Sequence, residues 1–571
     1  MTWIREEVRE IALGEWSLEL RDDDIAQIRF RGHEVLRSVR AVVRDRDWNT
    51  AAWTVGDIVQ DDHGVRVPLS SDSFGVTFDG ALAIEADGAS IAVAFEVFAS
   101  AEFWTNRTGL VVLHPAALSG APLAITHTSG LVSRTHFPGD ISPHQPAFDI
   151  RALEAEGVTV TFEGDAFEME DQRNWTDASF KTYSRPLADP FPYLFDGPVR
   201  QSVTIAVSGE LAGALAGSAT PTEPRGSDES GETRHSSRDL QSLAFAEVGE
   251  VRFSVAASTA PGTGPTDPIG HDTLVEVDLG WSGWRAAIER AAASGLPLDV
   301  RLVLPLEDPE ARVREAVDAL AELPLARIAA IQPPTHPAEH MSDDEAVRIL
   351  RDALGDRDVP VIGGTRSHFT ELNRGQHLVP QGLDGIAFST TPMFHTLETL
   401  QLEQAIAMQR LVAEQAVRIA AGAPVHVGPV TLRAHLNNVA TTSPQRPSVD
   451  DLSEGYGPEF LNADDERQRD PELAAWTIAS AAALAVPGVA TVSFFEEWGP
   501  RGIRGSDDAD YPVAEALRAL AGLEGPLETA HASDVWAIGS RETLLVANLG
   551  AESTEFRGIA VPAKGWASAR R

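Results

Sequence analysis

Residues 473–495 read LAAWTIASAAALAVPGVATVSFF, a long stretch with neither a charged side chain nor a histidine. That length suffices to cross a bilayer, but Pro487-Gly488 breaks it in the middle. The alanine-rich half before the break predicts a buried helix. The half after it, Val489 to Phe495, is rich in β-branched and aromatic residues and predicts a buried strand. Helix, tight turn and buried strand is a unit of α/β architecture, so the segment is read as core and not as a membrane span. The amino terminus, MTWIREEVREIA, has no basic stretch leading into an apolar run, so no secretory signal is expected. Together these readings predict a soluble, cytoplasmic protein with no membrane partner.

Working outward, apolar runs and helical windows alternate from about residue 245. The runs are Val251–Ala256, Leu274–Leu279, Leu298–Leu304, Arg327–Ile331, Val359–Gly363, Gly385–Phe388, Val425–Val427 and Ala490–Phe495. Helical windows at 281–294, 309–322, 343–354, 396–421 and 472–486 lie between several of them. Eight strands over ~280 residues match the count and size of a (β/α)8 TIM-like barrel. No glycine-rich phosphate turn follows the first strand, which argues against a doubly wound open sheet. The first 208 residues differ: short alternating runs such as Trp16–Leu20, Ile25–Phe30 and Ile91–Phe98, punctuated by Gly, Asp and Asn, predict a β-sandwich. Residues after 526 return to short strands. The expected fold class is therefore multidomain α/β plus β. It comprises an N-terminal β-sandwich at 1–216, a Ser/Gly/Pro-rich linker at 217–240, a barrel at 241–525 and a small C-terminal β-domain at 526–571, packed on the β-domain or the barrel flank.

Composition removes whole function classes. The 85 acidic and 46 basic residues leave a net charge of −39, which argues against a nucleic-acid partner. The absence of cysteine excludes disulfides, iron–sulfur clusters, thiolate zinc sites and cysteine nucleophiles. There is no G-x-S-x-G elbow, H-E-x-x-H or P-loop. His127, His136 and His144 have spacings that fit no common metal pattern. No metal and no cofactor are expected.

In a barrel, chemistry sits at the C-terminal ends of the strands. Retaining glycosidases of the large barrel clan place glutamates after strands 4 and 7. Here those positions hold Gln332-Pro333-Pro334 and Gly428-Pro429-Val430-Thr431-Leu432-Arg433, without a carboxylate. The catalytic candidates are instead Glu371 after strand 5, His395 after strand 6 and Glu497 after strand 8. One carboxylate can activate water, while the other or the histidine protonates a leaving oxygen. Asn373, Arg374 and Arg433 are candidates for holding hydroxyls or an oxyanion, and Trp498 or Trp175 could form an aromatic platform.

A second unusual segment is FEMEDQRNWTDASFKTY at 167–183. Only two lysines occur in the chain, against 44 arginines, and Lys181 is one of them. A retained lysine marks a place where a compact ammonium works and a guanidinium fork does not. Asn174, Trp175 and Lys181 are accordingly substrate-binding candidates. The alternative is a buried polar knot that holds the β-domain together.

At these residues the sequence resembles the D-apionate lactonases. The resemblance covers nearly the whole chain and rests on Phe167–Tyr183, on Phe369-Thr370-Glu371-Leu372-Asn373-Arg374, on Gly428-Pro429-Val430-Thr431-Leu432 and on Glu497 with Gly499 and Gly502. Leu113-His114-Pro115 and Phe137-Pro138 add shorter support. The family's Pro-x-x-His pattern after strand 6 is matched by Pro392 and His395, but Thr396 and Leu397 depart from the small residue and Asp that usually follow. The resemblance implies an N-terminal β-domain, a central barrel and a small C-terminal β-domain. It also implies hydrolysis of D-apionolactone to D-apionate in apiose catabolism. The expected partner is a small sugar or sugar lactone, with a homo-oligomer an allowed state. The alternatives are a glycoside hydrolase using the same carboxyls and a non-catalytic carbohydrate-binding protein.

Overall fold

The computed structural model describes residues 3, 7–218, 237–262, 267–436, 438, 446–456, 464–505 and 509–571. Most of the segment read as a linker lies outside them. The parts that are described end one helix, Gly209–Ser218, and begin another, Ser237–Ser242.

The first part of the chain forms one 17-stranded antiparallel sheet. Cross-pairings, such as Val199–Val207 with both Ser90–Ala99 and Val158–Glu163, fold it back on itself over a single apolar core. Alternation does the work: Ile91, Val93, Phe95 and Val97 are buried while their neighbours are more exposed.

Eight parallel strands follow: Arg252–Ala256, Thr273–Asp278, Leu298–Val303, Leu325–Ile331, Gly363–His368, Ile386–Thr390, Val425–Val430 and Val489–Glu496. Strands 2, 3 and 4 pair in order, as do 5, 6, 7, 8 and 1. Ala257 N–H to Leu274 O and Ile362 N–H to Ile328 O, each 2.9 Å, join the two sets into a ring. Among the described residues, seven of the strands are followed by a helix and the first is not, a departure from the expected (β/α)8 repeat.

The fifth strand is displaced from its expected place. Val359–Gly363 was the predicted run, yet the strand is Gly363–His368, and Phe369–Arg374 is a short helix, not a loop. An apolar run misses this strand because its buried face is polar. Arg366 is 4% exposed and pairs with Glu276 of the second strand. Gly364 has φ +102°, and a Cβ there would meet Ala387 O at 2.3 Å, so the approach of strands 5 and 6 requires glycine.

The last residues form a five-stranded sheet that packs on the barrel flank. Ala246–Gly249, expected to belong with the barrel, pairs instead with Leu527–Ala532 of this sheet. The alanine-rich helix, Glu472–Leu484, lies between barrel and sheet and touches Val535–Gly539, Thr543–Asn548 and Gly565–Arg570. All 13 of its residues are buried, which is why it has no polar face. Among the described residues, no helix is long and apolar enough to cross a membrane.

Candidate active site

The segment 167–183 is a strand, a 3-10 turn and a strand: Phe167–Asp171, Gln172–Trp175 and Ser179–Tyr183. Its polar residues serve three purposes. Asp171 and Arg173 form a two-pronged ion pair, Nε to Oδ1 2.8 Å and Nη2 to Oδ2 2.7 Å. The same guanidinium donates to the carbonyls of Pro138, Gly139 and Asp140 and so fixes that loop. This is the polar knot.

A second set docks the β-domain onto the barrel. Asn174 Oδ1 accepts from Asn373 Nδ2 at 2.9 Å, and Thr176 Oγ1 donates to Thr391 O at 2.7 Å. Asn373 also donates to Ile141 O and accepts from Gln415 Nε2, while Asn174 donates to Ser142 O and Asp171 O. Both amides are fully engaged and buried, at 1% and 2% exposure. Both are substrate-binding candidates from sequence, and in the fold their amides make hydrogen bonds at the domain junction.

The third set faces a cavity of about 650 Å³ between the two domains, lined by Glu170, Trp175, Lys181 and Tyr183 from this segment, by Arg44 and Arg107 from neighbouring strands, and by Arg374, Phe394, His395 and Arg433 from the barrel. His395 Nδ1 lies 2.7 Å from Asp177 Oδ2. The carboxylate accepts only, so Nδ1 carries the proton. Nε2 has no hydrogen-bond partner among the described residues and belongs to a side chain on the cavity wall. Trp175 stacks on Phe394 at 4.1 Å and meets His395 edge-on at 5.6 Å, which limits how the imidazole can turn.

Three of the cations on the cavity wall are paired with carboxylates. Lys181 Nζ lies 2.5 Å from Glu170 Oε2, and Arg374 lies 3.5 Å from Glu170 Oε1. Burial alone would raise the Glu170 carboxyl, but Lys181, His395 and Arg374 hold it well below the ordinary carboxylate range. Burial lowers Lys181, and Glu170 opposes that shift. Tyr183 is driven up by burial and by Glu170, so it stays a phenol and donates to Glu168 at 2.5 Å. Arg433 is held by Asp465 at 3.2 Å.

Glu371, Glu497 and Trp498 do not line this cavity. Glu371 accepts from Asn438 Nδ2 at 2.7 Å and lies 3.9 Å from Arg374; burial raises its pKa. Burial also raises Glu497, to about 7, against the pull of Arg504 and Arg290. Trp498 donates to Pro261 O and lies under Arg290. The sequence reading places Glu170 and Asp177 among the polar residues around Lys181, without the pairs Lys181–Glu170 and His395–Asp177. Asp177 sits in the segment that the lysine count singled out. Arg44 and Arg107, by contrast, are 63 positions apart and carry no local signal (107 − 44). Among the described residues, one group could hold a metal ion: His336, Asp343 and Glu345. It lies outside the cavity, and Asp343 already caps the helix Asp344–Leu354 and accepts from Gln332.

Residues 2–210 match the family described as D-apionate lactonase, N-terminal domain, and residues 266–525 match D-apionate lactonase, TIM barrel domain. The chain belongs to the D-apionate lactonase family. A D-apionate lactonase from Brucella anthropi is 28% identical over 560 residues, covering 89% of this chain and 86% of that protein. The D-apionate lactonase domains thus account for both walls of the cavity. Distant likenesses include a β-xylosidase from Caulobacter crescentus (10% identity, 54% of this chain and 80% of that one, TM-score 0.29). Another is an α-galactosidase from Geobacillus stearothermophilus (8% identity, 99% of each chain, TM-score 0.24). At these scores nothing carries over from them to this lactonase-family chain.

Proposed function

We propose that the chain hydrolyses a sugar lactone, with D-apionolactone as substrate and D-apionate as product, and that the reaction takes place in the cavity between the β-domain and the barrel. The observation that supports this reading is the His395–Asp177 pair. Asp177 holds the imidazole in the Nδ1–H tautomer, leaving Nε2 basic toward the cavity. Nε2 takes a proton from water as the water oxygen bonds to the lactone carbonyl carbon. The tetrahedral adduct then expels the ring oxygen, which leaves with the proton returned by Nε2. The products are one carboxyl and one hydroxyl. Arg374 and Arg433, each already held by a carboxylate, present fixed N–H groups to sugar hydroxyls, and Lys181–Glu170 supplies a further polar wall.

Glu371 and Glu497 remain candidates for supporting roles. They are also the pair a glycosidase would need on either side of one bond, and their place outside the cavity lining makes that reading weaker. The decisive assay is a panel of aldonolactones and aryl furanosides tested with wild type, His395→Ala, Glu371→Gln and Glu497→Gln. Lactone turnover that collapses in His395→Ala is the expected result. Turnover of furanosides alone, or full lactonase activity in His395→Ala, would overturn the proposal.

A further inference from the structure

The cavity wall carries five Lys or Arg side chains, and three are matched: Lys181 by Glu170, Arg374 by Glu170 and Glu371, and Arg433 by Asp465. The other two, Arg44 and Arg107, form no ion pair among the described residues. Arg44 ends the strand His33–Arg44, Arg107 begins the strand Arg107–Pro115, and the antiparallel register sets them directly opposite each other. Like charges in that position destabilise a sheet.

Arg107 is fixed: it is 5% exposed, lies 4.4 Å over the Tyr183 ring and 5.3 Å over Trp48, and donates to Arg185 O. Arg44 is less engaged. Its Nε is buried with no hydrogen-bond partner among the described residues. Burial and the neighbouring Arg107 lower its pKa to about 10, which leaves it a cation at neutral pH. The carboxylates that act on them, Glu170 on both and Glu168 on Arg107, do so without direct contact. Both are already engaged, Glu170 by Lys181 and Arg374 and Glu168 by Tyr183 and the Leu187 N–H, so two adjacent arginines without a direct ion pair are free to take an anion from outside.

We propose that Arg44 and Arg107 form an anion subsite that receives the acyl end of the substrate and holds the carboxylate of the ring-opened product. This rests on the lactonase reading. Hydrolysis converts a neutral lactone into a carboxylate, a hydroxyl and a released proton, and the acyl carbon is the one centre whose oxygens gain charge. A fixed pair of cations therefore discriminates adduct and product from substrate. It also orients the ring, with the acyl end toward the β-domain and the hydroxyls toward Arg374 and Arg433. A consequence is strong product inhibition.

The test is calorimetric titration of full-length wild type and Arg44→Met with D-apionate and with neutral D-apiose, alongside thermal melts and a D-apionolactone assay. In Arg44→Met the affinity for D-apionate should fall about tenfold or more, the effect of one charge-assisted hydrogen bond in a dry site. Affinity for D-apiose should be unchanged. The melting temperature should be unchanged or higher, because a half-buried cation set opposite another has been removed; a merely structural role for Arg44 would lower it. Equal affinity of both proteins for D-apionate overturns the subsite, and continued hydrolysis by wild type then leaves the lactonase reading standing. If wild type neither binds D-apionate nor opens the lactone, both fall together.

Discussion

His395 is supplied by the barrel and Asp177 by the β-domain, so the proposed base is oriented by a residue 218 positions away. Replacing His395 with Ala should lower kcat by ~10²–10⁴-fold, the usual worth of a positioned base, with a smaller change in KM. Asp177→Asn should also lower kcat while the melting temperature stays near wild type. Steady-state kinetics on a purified lactone decides both, and an unchanged kcat in Asp177→Asn would remove the orienting role. Glu497 offers a pH test. Its folded pKa is raised from 4.5 to about 7, so the folded state holds the proton more tightly than the unfolded one. Its contribution is therefore favourable at low pH and is lost as pH rises from about 4.5 through 7. Melting curves of wild type and Glu497→Gln at pH 5 and pH 8 should show the variant gaining relative stability at pH 8. No change with pH would mean that burial does not penalise this carboxylate.

At the scale of single elements, burial on every side gives the helix Glu472–Leu484 its composition. Trp476 sits in its middle, fully buried, with Nε1 donating to Leu402 O at 2.8 Å. Trp476→Ala should destabilise the protein by ~3–5 kcal/mol, the range for emptying a large aromatic site, read by urea unfolding. A cost below 1 kcal/mol would mean the flanking sheet closes over the gap. The fifth strand teaches the opposite lesson about legibility. Runs of Val, Ile and Leu located seven of the eight strands to within a few residues, because their side chains face apolar layers. Gly363–His368 escaped, because Arg366 faces inward to Glu276 and the outward signal of a buried strand is absent. The same cause put Glu371 in an expected loop when it lies on a helix that docks the two domains.

For the whole molecule, the cavity exists only where β-domain and barrel meet, and the docking contacts of Asn174, Asn373, Thr176 and Gln415 set its geometry. Asn373→Leu would strand Asn174 Oδ1 without its donor, at ~1–3 kcal/mol for the unsatisfied group, and would remove one of the bonds to the Ile141 carbonyl and to Gln415, which still bond each other. The expected outcome is a lower melting temperature together with a lower kcat, since His395 and Asp177 would separate. A barrel fragment beginning at residue 237 should fold without lactonase activity, and wild-type turnover by that fragment would place the chemistry inside the barrel alone. Legible along the chain alone were the alternation of strands and helices, the buried segment 473–495, the family-bearing segment 167–183 and the position of His395 after the sixth strand. These are local matters, set by periodicity, turn residues and rare residue types. Which strands lie side by side is a tertiary matter, and it sets Asp177 against His395, the bonds of Asn174 and Asn373 across the domain junction, the absence of Glu371 and Glu497 from the cavity lining, and Arg44 opposite Arg107. Charge pairing and solvent access depend on which distant strands lie side by side, and no spacing along one chain segment carries that information.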